Sequence, residues 1–435
     1  MALAASGDLR LVSRQSDVGG GAGADVWSCE ASLSDDGRFV AFRSEATNLG
    51  LHGSGDFETT IYVYDFRRHR VETVSRQSNL GLGAAGDSRE SQISGNGRFV
   101  VFRTNAENLG GPIVAEESIY VYDRRTDRVE LVSRRSAKAG GAGANQDAER
   151  PSISRDGRYV SFPTRATNLG GPIAGNGATN VYVRDRREKR TFLVSRRSSG
   201  GRGGDGNSFE PSIAPDAPVV VFESQARNLG GPIKDTASAS VYAHNWETHR
   251  TSLISRRSGE GAGVNAAADL PDVSASGRFV VFETTATNLG GPRQRIPNLI
   301  NLYLRDRRTG STVLVSRQSR GSGGEGANAS ATQASLSSSG RFVAFRTAAT
   351  NLGGPIASSF NSYVYDRERR RVTLVSRAGG PGPGANDYAG EPSIAGGGGF
   401  VGFETPADNI DPPGEPAFHG NIPANTNVYR YQLLP

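Results

Sequence analysis

The sequence predicts an all-β fold, a seven-bladed β-propeller of four-stranded antiparallel blades. The first observation is a repeat of about 60 residues that recurs seven times along the 435-residue chain. The second is that every copy contains four short segments rich in β-branched and aromatic residues, while no segment shows sustained helical periodicity. Strands that are apolar on both faces must be covered on both sides, and a ring of blades provides that cover.

One position just before the second strand marks the repeat. Four arginines fall on a 60-residue grid, a proline takes their place in the fourth copy, and the last two copies follow with small changes of length. These markers are Arg38, Arg98, Arg158, Pro218, Arg278, Arg341 and Gly399. Each copy is expected to be one blade that buries its faces against its two neighbours.

The third copy shows the four strands in order. The first strand, "PSIS" (Pro151–Ser154), leads through the tight turn Arg155–Gly157 into the second, "RYVSF" (Arg158–Phe162). The third strand is "NVYVRD" (Asn180–Asp185), and the fourth is "TFLVSR" (Thr191–Arg196). The turn between the first two strands carries the Asp and Gly that tight turns favour.

The repeat resembles the TolB-like, WD40-like propeller repeat. The segments "PSISRDGRYVSF", "NVYVRDRR" and "FLVSRRS" match that family's pattern, whose core reads P-S-x-S-x-D-G-R-x-V-x-F, and the resemblance covers essentially the whole chain. The resemblance implies a bacterial protein, often periplasmic or extracellular, in a family of binding platforms of which only some are enzymes. TolB itself carries a separate α/β domain, for which this chain has no room.

One propeller domain is expected over residues 1–435. Its blades are predicted at about 29–76, 89–134, 149–196, 209–256, 269–317, 332–377 and 390–434. The chain starts with a fourth-strand sequence, "LRLVSR" (Leu9–Arg14), and ends with a third-strand sequence, "NVYRYQLL" (Asn427–Leu434). Residues 9–14 are therefore predicted to complete the seventh blade, which removes exposed sheet edges.

The propeller should have two different faces, because long connections follow strands two and four while tight turns follow strands one and three. Ligand binding is expected on the long-loop face. The loop "ATNLGGPI" (Ala166–Ile173), written nearly the same way in five copies, belongs there. We expect Asn168 to bond backbone groups, Leu169 to fill the gap between blades, and Gly-Gly-Pro to set unusual dihedral angles. A repeated ligand pocket is the alternative.

The tight-turn face is predicted to be basic. Six turns after the third strands together carry a formal charge of +8, compared with +6 for the whole chain. Contact with an anionic partner is one interpretation, and a solvated set of arginine-rich turns is the other. The candidate contacts are Arg67, Arg68, Arg186, Arg187, Arg369 and Arg370. Sequence-specific nucleic-acid binding is not expected, since the cations alternate with Asp and lack base-stacking aromatic partners.

The mouth of the central channel is predicted to be acidic. One residue per copy, placed just before the innermost strand, should crowd this mouth: Glu30, Glu90, Arg150, Glu210, Leu270, Gln333 and Glu391. Neighbouring carboxylates raise one another's pKa unless a cation offsets them, and Arg89 and Arg150 could do so. A bound cation or cationic ligand is one reading and a water-filled channel the other; no other cofactor is expected.

A second candidate site lies where the repeat breaks down, because blades one and seven lack Gly-Gly-Pro and meet at the ring closure. Their altered loops bring histidines, carboxylates and aromatic residues that the template lacks, which are ingredients of a small-ligand site. The predicted residues are His52, His419, Trp27, Asp56, Glu58, Asp411 and Tyr388, with Glu415 nearby. Terminal repeats are also often atypical simply because they accommodate chain ends. Whether a metal binds there stays open.

Catalytic motifs are absent from the sequence: there is no His-Glu-x-x-His, phosphate loop or Gly-x-Ser-x-Gly elbow, so no catalytic residue is assigned. The single cysteine, Cys29, excludes an intrachain disulfide and is expected to be a packed thiol rather than a nucleophile. The three histidines of the basic turns, His69, His244 and His249, are expected to be exposed.

The sequence therefore favours a non-catalytic, monomeric binding or scaffold propeller that takes a protein or glycan partner on its long-loop face. The alternative is a hydrolase or lyase acting on a saccharide or peptide at the same face. No apolar run is long enough to span a membrane. The start, "MALAASGDLR", is too short and polar for a signal peptide, so localisation stays open, and it would be periplasmic or extracellular if a signal had been removed.

Overall fold

Seven four-stranded antiparallel sheets make up the protein. The computed structural model describes residues 7–17, 21–51, 58–79, 81–173, 177–233, 238–259, 261–292, 296–322, 324–379, 382–412 and 425–433. These residues contain twenty-eight strands, and their helical segments are two single turns of 3-10 helix at Ala137–Ala139 and Arg320–Ser322. The predicted seven-bladed, all-β propeller is confirmed.

Every blade runs from an innermost strand beside the channel to an outer strand at the rim. The innermost strands are β2 (Ser28–Leu33), β6 (Ser88–Ile93), β10 (Ser152–Ile153), β14 (Ser208–Ile213), β18 (Ala268–Val273), β22 (Ala331–Leu336) and β26 (Gly390–Ile394). The second strands are β3 (Phe39–Ser44), β7 (Phe99–Thr104), β11 (Tyr159–Thr164), β15 (Val219–Ser224), β19 (Phe279–Thr284), β23 (Phe342–Thr347) and β27 (Phe400–Thr405).

The two outer positions of each blade complete the sheets. The third strands are β4 (Thr60–Asp65), β8 (Ser118–Asp123), β12 (Asn180–Asp185), β16 (Ser240–Asn245), β20 (Asn301–Asp306), β24 (Asn361–Asp366) and β28 (Asn427–Gln432). The outer strands are β5 (Arg70–Thr73), β9 (Arg128–Leu131), β13 (Arg190–Leu193), β17 (Arg250–Leu253), β21 (Ser311–Leu314), β25 (Arg371–Leu374) and β1 (Leu9–Leu11).

In the third blade the four predicted strands are all present, with some shifted ends. The third strand agrees residue for residue, whereas the innermost strand is only two residues long. The outer strand ends at Leu193 rather than at the predicted Arg196. It ends early because Val194 and Ser195 both donate their backbone N–H to the same carbonyl, that of Val181, at 3.0 and 3.3 Å. This shared acceptor breaks the alternating ladder of an antiparallel pair.

The ring closes through the N-terminal strand, as predicted. Strand β1 pairs antiparallel with β28, and the order of this sheet is β1-β28-β27-β26. Leu9 is opposite Tyr431 and Leu11 is opposite Tyr429 in the register. Both leucines are buried in the core between the sixth and seventh blades. The seventh blade is thus built from both ends of the described chain, and its edge is paired.

The core lies between neighbouring blades. Every blade carries one stacked Phe–Tyr pair across its second and third strands, with ring centroids 5.8 to 6.4 Å apart. In the third blade this pair is Phe162 and Tyr182, and both rings are fully buried. Val101 and Val121 of the second blade belong to the same cluster. Each sheet therefore buries one face against the blade before it and the other against the blade after it.

The repeated long loop has a structural role. Asn168 Nδ2 donates to the Gly143 carbonyl oxygen at 2.8 Å, and its Oδ1 accepts the Asn145 N–H at 3.2 Å. Leu169 is buried, and Gly171 has a φ of 97°, a conformation that favours glycine. The side-chain bond to a glycine carbonyl recurs in all seven blades, at Asn48, Asn108, Asn168, Asn228, Asn288, Asn351 and Asn409. The asparagine and leucine roles predicted from the sequence are confirmed.

A closed ring of backbone hydrogen bonds joins the turns between first and second strands at the tight-turn end of the channel. Each blade contributes one bond to the next, at 2.8 to 3.1 Å. The donor N–H groups belong to Asp35, Asn96, Arg155, Asp216, Ala275, Ser338 and Gly397. The last of them donates to the carbonyl of Asp35 and so completes the circle. This ring holds the seven innermost strands in a fixed arrangement around the channel.

Candidate functional site

A β-bulge repeated around the ring builds the mouth of the channel. In six blades the pairing of first and second strands shifts register at one point, as between Arg89 and Gln92 in the second blade. In all seven blades the residue at this point is left-handed, with φ between 38 and 58°. These residues are Glu30, Glu90, Arg150, Glu210, Leu270, Gln333 and Glu391, and all line one cavity of about 610 Å³.

The seven predicted mouth residues are thus brought together, but their position along the strand was predicted wrongly. In six blades they lie inside the innermost strand and not before it, because the ladder continues beyond the bulge. In the first blade, for example, Ser28 and Cys29 still pair with Ser44 and Arg43 before Glu30 leaves the ladder. A bulge of this kind takes one residue out of the pairing and re-aims its side chain.

Several mouth carboxylates bond the backbone of the next blade. Glu30 Oε2 accepts the Glu90 N–H at 2.8 Å, and Glu90 Oε2 accepts the Arg150 N–H at 2.6 Å. Glu404 Oε2 accepts the Glu30 N–H at 3.1 Å. These bonds occupy the N–H groups that the bulge has removed from the ladder, which would otherwise lack a partner near the channel. The carboxylates therefore also help to hold the strained left-handed backbone.

One side of the mouth has its carboxylates in ion pairs. Arg43 lies 3.1 Å from Glu30, Arg103 lies 3.1 Å from Glu90, and Arg103 also pairs with Glu117. Two further pairs complete this side: Arg89 with Glu117, and Arg150 with Glu210. We call these residues of the first to fourth blades the paired arc: Glu30, Arg43, Arg89, Glu90, Arg103, Glu117, Arg150 and Glu210. The prediction that Arg89 and Arg150 offset mouth carboxylates agrees with the contact of Arg150, whereas Arg89 pairs with Glu117, which was not predicted at the mouth.

The other side holds carboxylates without such pairs. We call it the unpaired arc: Glu223, Asp269, Glu283, Glu391 and Glu404. Among the residues that the structure describes, none of these five has an Arg, Lys or His nitrogen within 4.0 Å of its carboxylate. Burial is the main cause that raises the pKa of Glu283 to about 8, and the Asp269 carboxylate adds to it. Burial likewise raises the pKa of Glu223 to about 7, again with Asp269, and that of Glu404 to about 7, with Glu391.

The opposite end of the channel is bridged by Arg155, a residue to which sequence reasoning gave only a role in a turn. Its Nε lies 3.1 Å from Asp35 Oδ2 and 2.9 Å from Asp216 Oδ1, and its Nη2 donates to Ser338 Oγ at 3.1 Å. These partners belong to the first, fourth and sixth blades, so the side chain reaches across the channel. The channel is therefore accessible to a ligand chiefly from the long-loop face.

A second residue missed from the sequence is Asp272, which is half-buried in the channel wall. Its carboxylate accepts hydrogen bonds from Ser212 Oγ and from the backbone N–H groups of Val273 and Leu336, at 2.7 to 2.8 Å. Burial raises the pKa of this carboxyl group. Serines stand at this position in five of the other six blades, and in three of these the Oγ accepts one backbone N–H, as Ser32 does from Ile93.

The site predicted at the junction of blades one and seven lies only partly within the described residues. His52, Asp56, Glu415 and His419 lie outside the described residues. The Arg43 guanidinium lies 5.0 Å from the Trp27 ring centroid, and the Glu404 carboxylate helps burial to raise the pKa of Tyr388. Both predicted aromatic residues therefore border the acidic channel mouth.

The two predicted junction carboxylates that are described have separate surroundings. Asp411 accepts a 2.5 Å hydrogen bond from the Tyr429 hydroxyl, which ties it to the third strand of the seventh blade. Glu58 is half-buried, and one of its oxygens has no hydrogen-bond partner among the described residues. A shared site with the two histidines stays a prediction.

The predicted anion contacts divide into one engaged arginine and five exposed ones. Arg186 is ion-paired with Glu130 at 3.1 Å, donates to the Gly157 carbonyl at 2.7 Å and lies 4.7 Å above the Phe99 ring. It is thus part of the interface between the second and third blades. The exposed candidates are Arg67, Arg68, Arg187, Arg369 and Arg370.

The expectation that the turn histidines are exposed is wrong for one of the three. His69 and His249 are exposed, whereas only 1% of His244 is accessible. The error arises because His244 lies in β16, before the turn, on the side that faces the preceding blade. Cys29 is half-buried, and burial raises the pKa of its thiol, which disfavours the nucleophilic thiolate.

The described residues contain neither a candidate membrane span nor a candidate metal cluster. No helix there is long and apolar enough to cross a membrane. In the same part of the chain, no group of three or more His, Cys, Asp or Glu side chains is arranged to hold a metal ion.

Comparison with known proteins identifies the fold. No protein-family model and no curated protein matches the sequence. Oligogalacturonate lyase in complex with manganese is 10% identical over 99% of this chain and 98% of that chain, with a TM-score of 0.54. The β-propeller domain of the Trilobed protease from Pyrococcus furiosus is 13% identical over 87% of this chain and 91% of that one, with a TM-score of 0.50. These two likenesses show a shared propeller fold.

TolB structures are also found by the comparison. TolB from Acinetobacter baumannii is 14% identical over 84% of this chain, with a TM-score of 0.42, and this chain covers 65% of its length. The chain thus spans less than two thirds of that TolB. The TolB-like resemblance of the repeat is in agreement with the propeller fold of the protein.

Proposed function

We propose that this protein is a non-catalytic binding propeller that takes a basic segment of a protein partner into the channel mouth on its long-loop face. The observation that carries the proposal is the unpaired arc. Of this arc, Glu391 lines a cavity of about 610 Å³ that is bridged at its far end, while Glu283 and Glu404 accept the backbone N–H groups of the lining residues Gln333 and Glu30. Such an arrangement attracts a Lys or Arg side chain, because a cation supplies the charge that these carboxylates lack.

The size of the cavity supports an extended segment rather than a folded domain as the occupant. A volume of about 610 Å³ accommodates a few side chains. The two half-buried aromatic residues at the junction, Trp27 and Tyr388, add contact surface beside the acidic mouth. Aromatic residues are enriched where proteins bind partners, since they combine apolar area with a polar tip.

Proton release should accompany binding. Glu223, Glu283 and Glu404 have pKa values raised to about 7, 8 and 7, so they are partly protonated at neutral pH. A bound cation favours their ionised form and displaces these protons. We therefore expect affinity to increase roughly tenfold between pH 6 and pH 8.

The test uses a tri-lysine amide peptide and isothermal titration calorimetry at low salt. Measuring the heat in buffers of different ionisation enthalpy counts the protons released at pH 7. We expect release on binding, and we expect the double variant Glu223→Gln with Glu283→Gln to bind at least tenfold more weakly. Glu107→Gln is the matched control, because Glu107 is exposed on the same face and belongs to neither arc.

Two results would overturn the proposal. Equal affinity of the double variant and the parent protein would mean that the unpaired arc does not hold the peptide. Chemical conversion of a peptide or saccharide by the purified protein would support the hydrolase or lyase alternative instead. Calcium chloride serves as a comparator, since displacement of the peptide by Ca²⁺ at equal concentration would identify an inorganic cation as the occupant.

A further inference from the structure

A cavity between the third and fourth blades, on the tight-turn face, has a lining unlike that of the two interfaces before it. Its volume is about 300 Å³. It is bounded by β13 of the third blade and by the turn that follows β16 of the fourth. This place is remote from the channel mouth, since it lies on the opposite face of the ring.

The two interfaces before it are filled in a different way. Between the second and third blades, Arg186 lies over Phe99 and pairs with Glu130. The same arrangement occurs one interface earlier, where Arg124 lies over Phe39 and pairs with Glu72. An arginine, a glutamate and an aromatic ring thus fill these two interfaces.

In the interface with the cavity, both charged residues are replaced by aromatic ones. Trp246 takes the place of the arginine and Phe192 the place of the glutamate. The Trp246 ring lies 5.1 Å from that of Tyr159 and 6.1 Å from that of Phe192, measured between centroids. All three rings are only half-buried and line the cavity.

The cavity exists because a histidine replaces a longer side chain. Arg184 and Arg305 occupy the corresponding position in the third and fifth blades, where Nη1 reaches Thr191 Oγ1 at 3.1 Å and Thr312 Oγ1 at 2.9 Å. His244 makes the same contact with its Nδ1, 2.8 Å from Thr251 Oγ1. The imidazole is shorter than an arginine side chain, so the remaining space is open to a ligand.

Hydrogen bonding determines which ring nitrogen of His244 faces a ligand. The Thr251 hydroxyl donates its single hydrogen to the Arg196 carbonyl oxygen. Nδ1 must therefore donate to Thr251, and Nε2 carries the lone pair in the neutral ring. No partner for Nε2 is found among the described residues, although the side chain is 99% buried and lines the cavity. Burial is the main cause that lowers the pKa of His244 to about 4, and the nearby Arg196 guanidinium adds to it.

The rim combines donors and acceptors of both charges. Two carboxylates, of Glu188 and Glu247, supply acceptors, and two guanidinium groups, of Arg190 and Arg196, supply donors. Asp185 also lines the cavity, but its carboxylate is already paired with Arg158 at 2.7 Å. The formal charge around the cavity is therefore balanced, which favours neither an anion nor a cation as the ligand.

We propose that this cavity binds a neutral pyranose sugar. An apolar aromatic wall accepts the C–H face of such a ring, and a rim of mixed donors and acceptors suits its several hydroxyl groups. His244 Nε2 accepts one hydroxyl hydrogen from inside the cavity. A volume of about 300 Å³ lies at the lower end of small-ligand pockets and accommodates one sugar unit with part of a second. The site is independent of the binding function proposed for the channel mouth.

Trp246 provides a direct test, because the chain contains only two tryptophans. In the Trp27→Phe variant, Trp246 is the single tryptophan, and its fluorescence reports on this cavity alone. The probes are methyl α-D-glucopyranoside, methyl β-D-galactopyranoside and N-acetyl-D-glucosamine, with sodium benzoate as a charged aromatic comparator. We expect a saturable fluorescence change with at least one of the three sugars and none with benzoate.

Two template-restoring variants test the location, with saturation-transfer NMR as the readout. His244→Arg should fill the cavity in the way that Arg184 and Arg305 do. The double change of Trp246→Arg and Phe192→Glu should recreate the arrangement of the two preceding interfaces, so both proteins are expected to fold. Each should weaken sugar binding at least tenfold. The proposal is overturned if no sugar gives a saturable signal, if benzoate binds in their place, or if both variants bind as well as the parent.

Discussion

The two arcs of the channel mouth share one backbone and differ in charge pairing. In both, a left-handed residue at the bulge stands beside the fifth residue of the second strand. In the paired arc that residue is Arg43 or Arg103, and in the unpaired arc it is Glu223, Glu283 or Glu404. The repeat therefore dictates where these side chains are placed but not whether their charges compensate one another.

This difference separates charges that support the fold from charges that cost stability. A partly buried ion pair retains the charge of both members, and removing one member leaves the other uncompensated. A buried carboxylate without a partner instead takes up a proton, as the raised pKa of Glu283 indicates. Buried carboxylates without an ion-pair partner are common at functional sites, which is why the proposed function is assigned to the unpaired arc.

The largest expected effect lies in the paired arc. Arg103→Met removes the one guanidinium that pairs with both Glu90 and Glu117, and it leaves two half-buried carboxylates with less compensation. We expect the free energy of unfolding to fall by roughly 2 to 4 kcal/mol, measured by urea denaturation at pH 7. Arg125→Met is the control, since Arg125 is exposed, and it should unfold like the parent. Equal unfolding of all three proteins would contradict the structural role of the paired arc.

In the unpaired arc, neutralising a carboxylate is expected to raise the free energy of unfolding rather than to lower it. The pKa of Glu283 is about 8 in the folded protein and lower in the unfolded chain, so the folded state binds more protons between about pH 4.5 and pH 8. Stability contributed by the protonated group is present at low pH and is lost as the pH rises through this window. Glu283→Gln should therefore stabilise the protein at pH 8, by on the order of 1 to 3 kcal/mol, and hardly at all at pH 5.

The matched control for this variant is Glu117→Gln in the paired arc. Glu117 bonds two arginines, Arg89 and Arg103, so its neutralisation should destabilise the protein at pH 5 and pH 8 alike. Melting temperatures across this pH range measure both variants. The distinction between the arcs fails if Glu283→Gln and Glu117→Gln change stability in the same direction at pH 8.

A smaller gain in the free energy of unfolding is expected from Glu223→Gln. Glu223 is less buried than Glu283, and its pKa is raised only to about 7. We expect a stabilisation of about 1 kcal/mol at pH 8, which disappears near pH 5. Adding this change to Glu283→Gln should give less than the sum of the two gains, because both carboxylates interact with Asp269. Strict additivity would show that the arc does not act as one electrostatic group.

The smallest effect on stability is expected for two neighbouring arginines on the tight-turn face, one exposed and one held in an ion pair. Arg187 is exposed, whereas its neighbour Arg186 is bound to Glu130 and to the Gly157 carbonyl. Arg187→Met should change the free energy of unfolding by no more than about 0.5 kcal/mol, whereas Arg186→Met should cost more. Chemical denaturation of the pair gives the comparison. A larger loss from Arg187→Met would mean that exposure does not separate free from engaged arginines here.

Much of the candidate site was visible in the sequence. Glu30, Glu90, Arg150, Glu210 and Glu391 could be placed at the channel mouth because a repeat of fixed length brings equivalent positions to equivalent places around a ring. The bulge itself was not predicted, since no glycine marks the left-handed residue in these strands. Glu223 and Glu283 of the unpaired arc were not predicted at the mouth, because they lie in second strands whose apolar pattern predicts a buried core.

The sequence by itself determined the fold, the number of blades, the closure by Leu9–Leu11 and the structural role of the asparagine loop. These features follow from local signals that recur in every copy: strand periodicity, turn residues and an unfinished last blade. Only the tertiary structure decided which charges meet. Arg155 and Asp35 are 120 positions apart in the chain, and Phe192 and Trp246 belong to different blades. Contacts between blades depend on two copies at once, and a pattern read along one copy does not contain them.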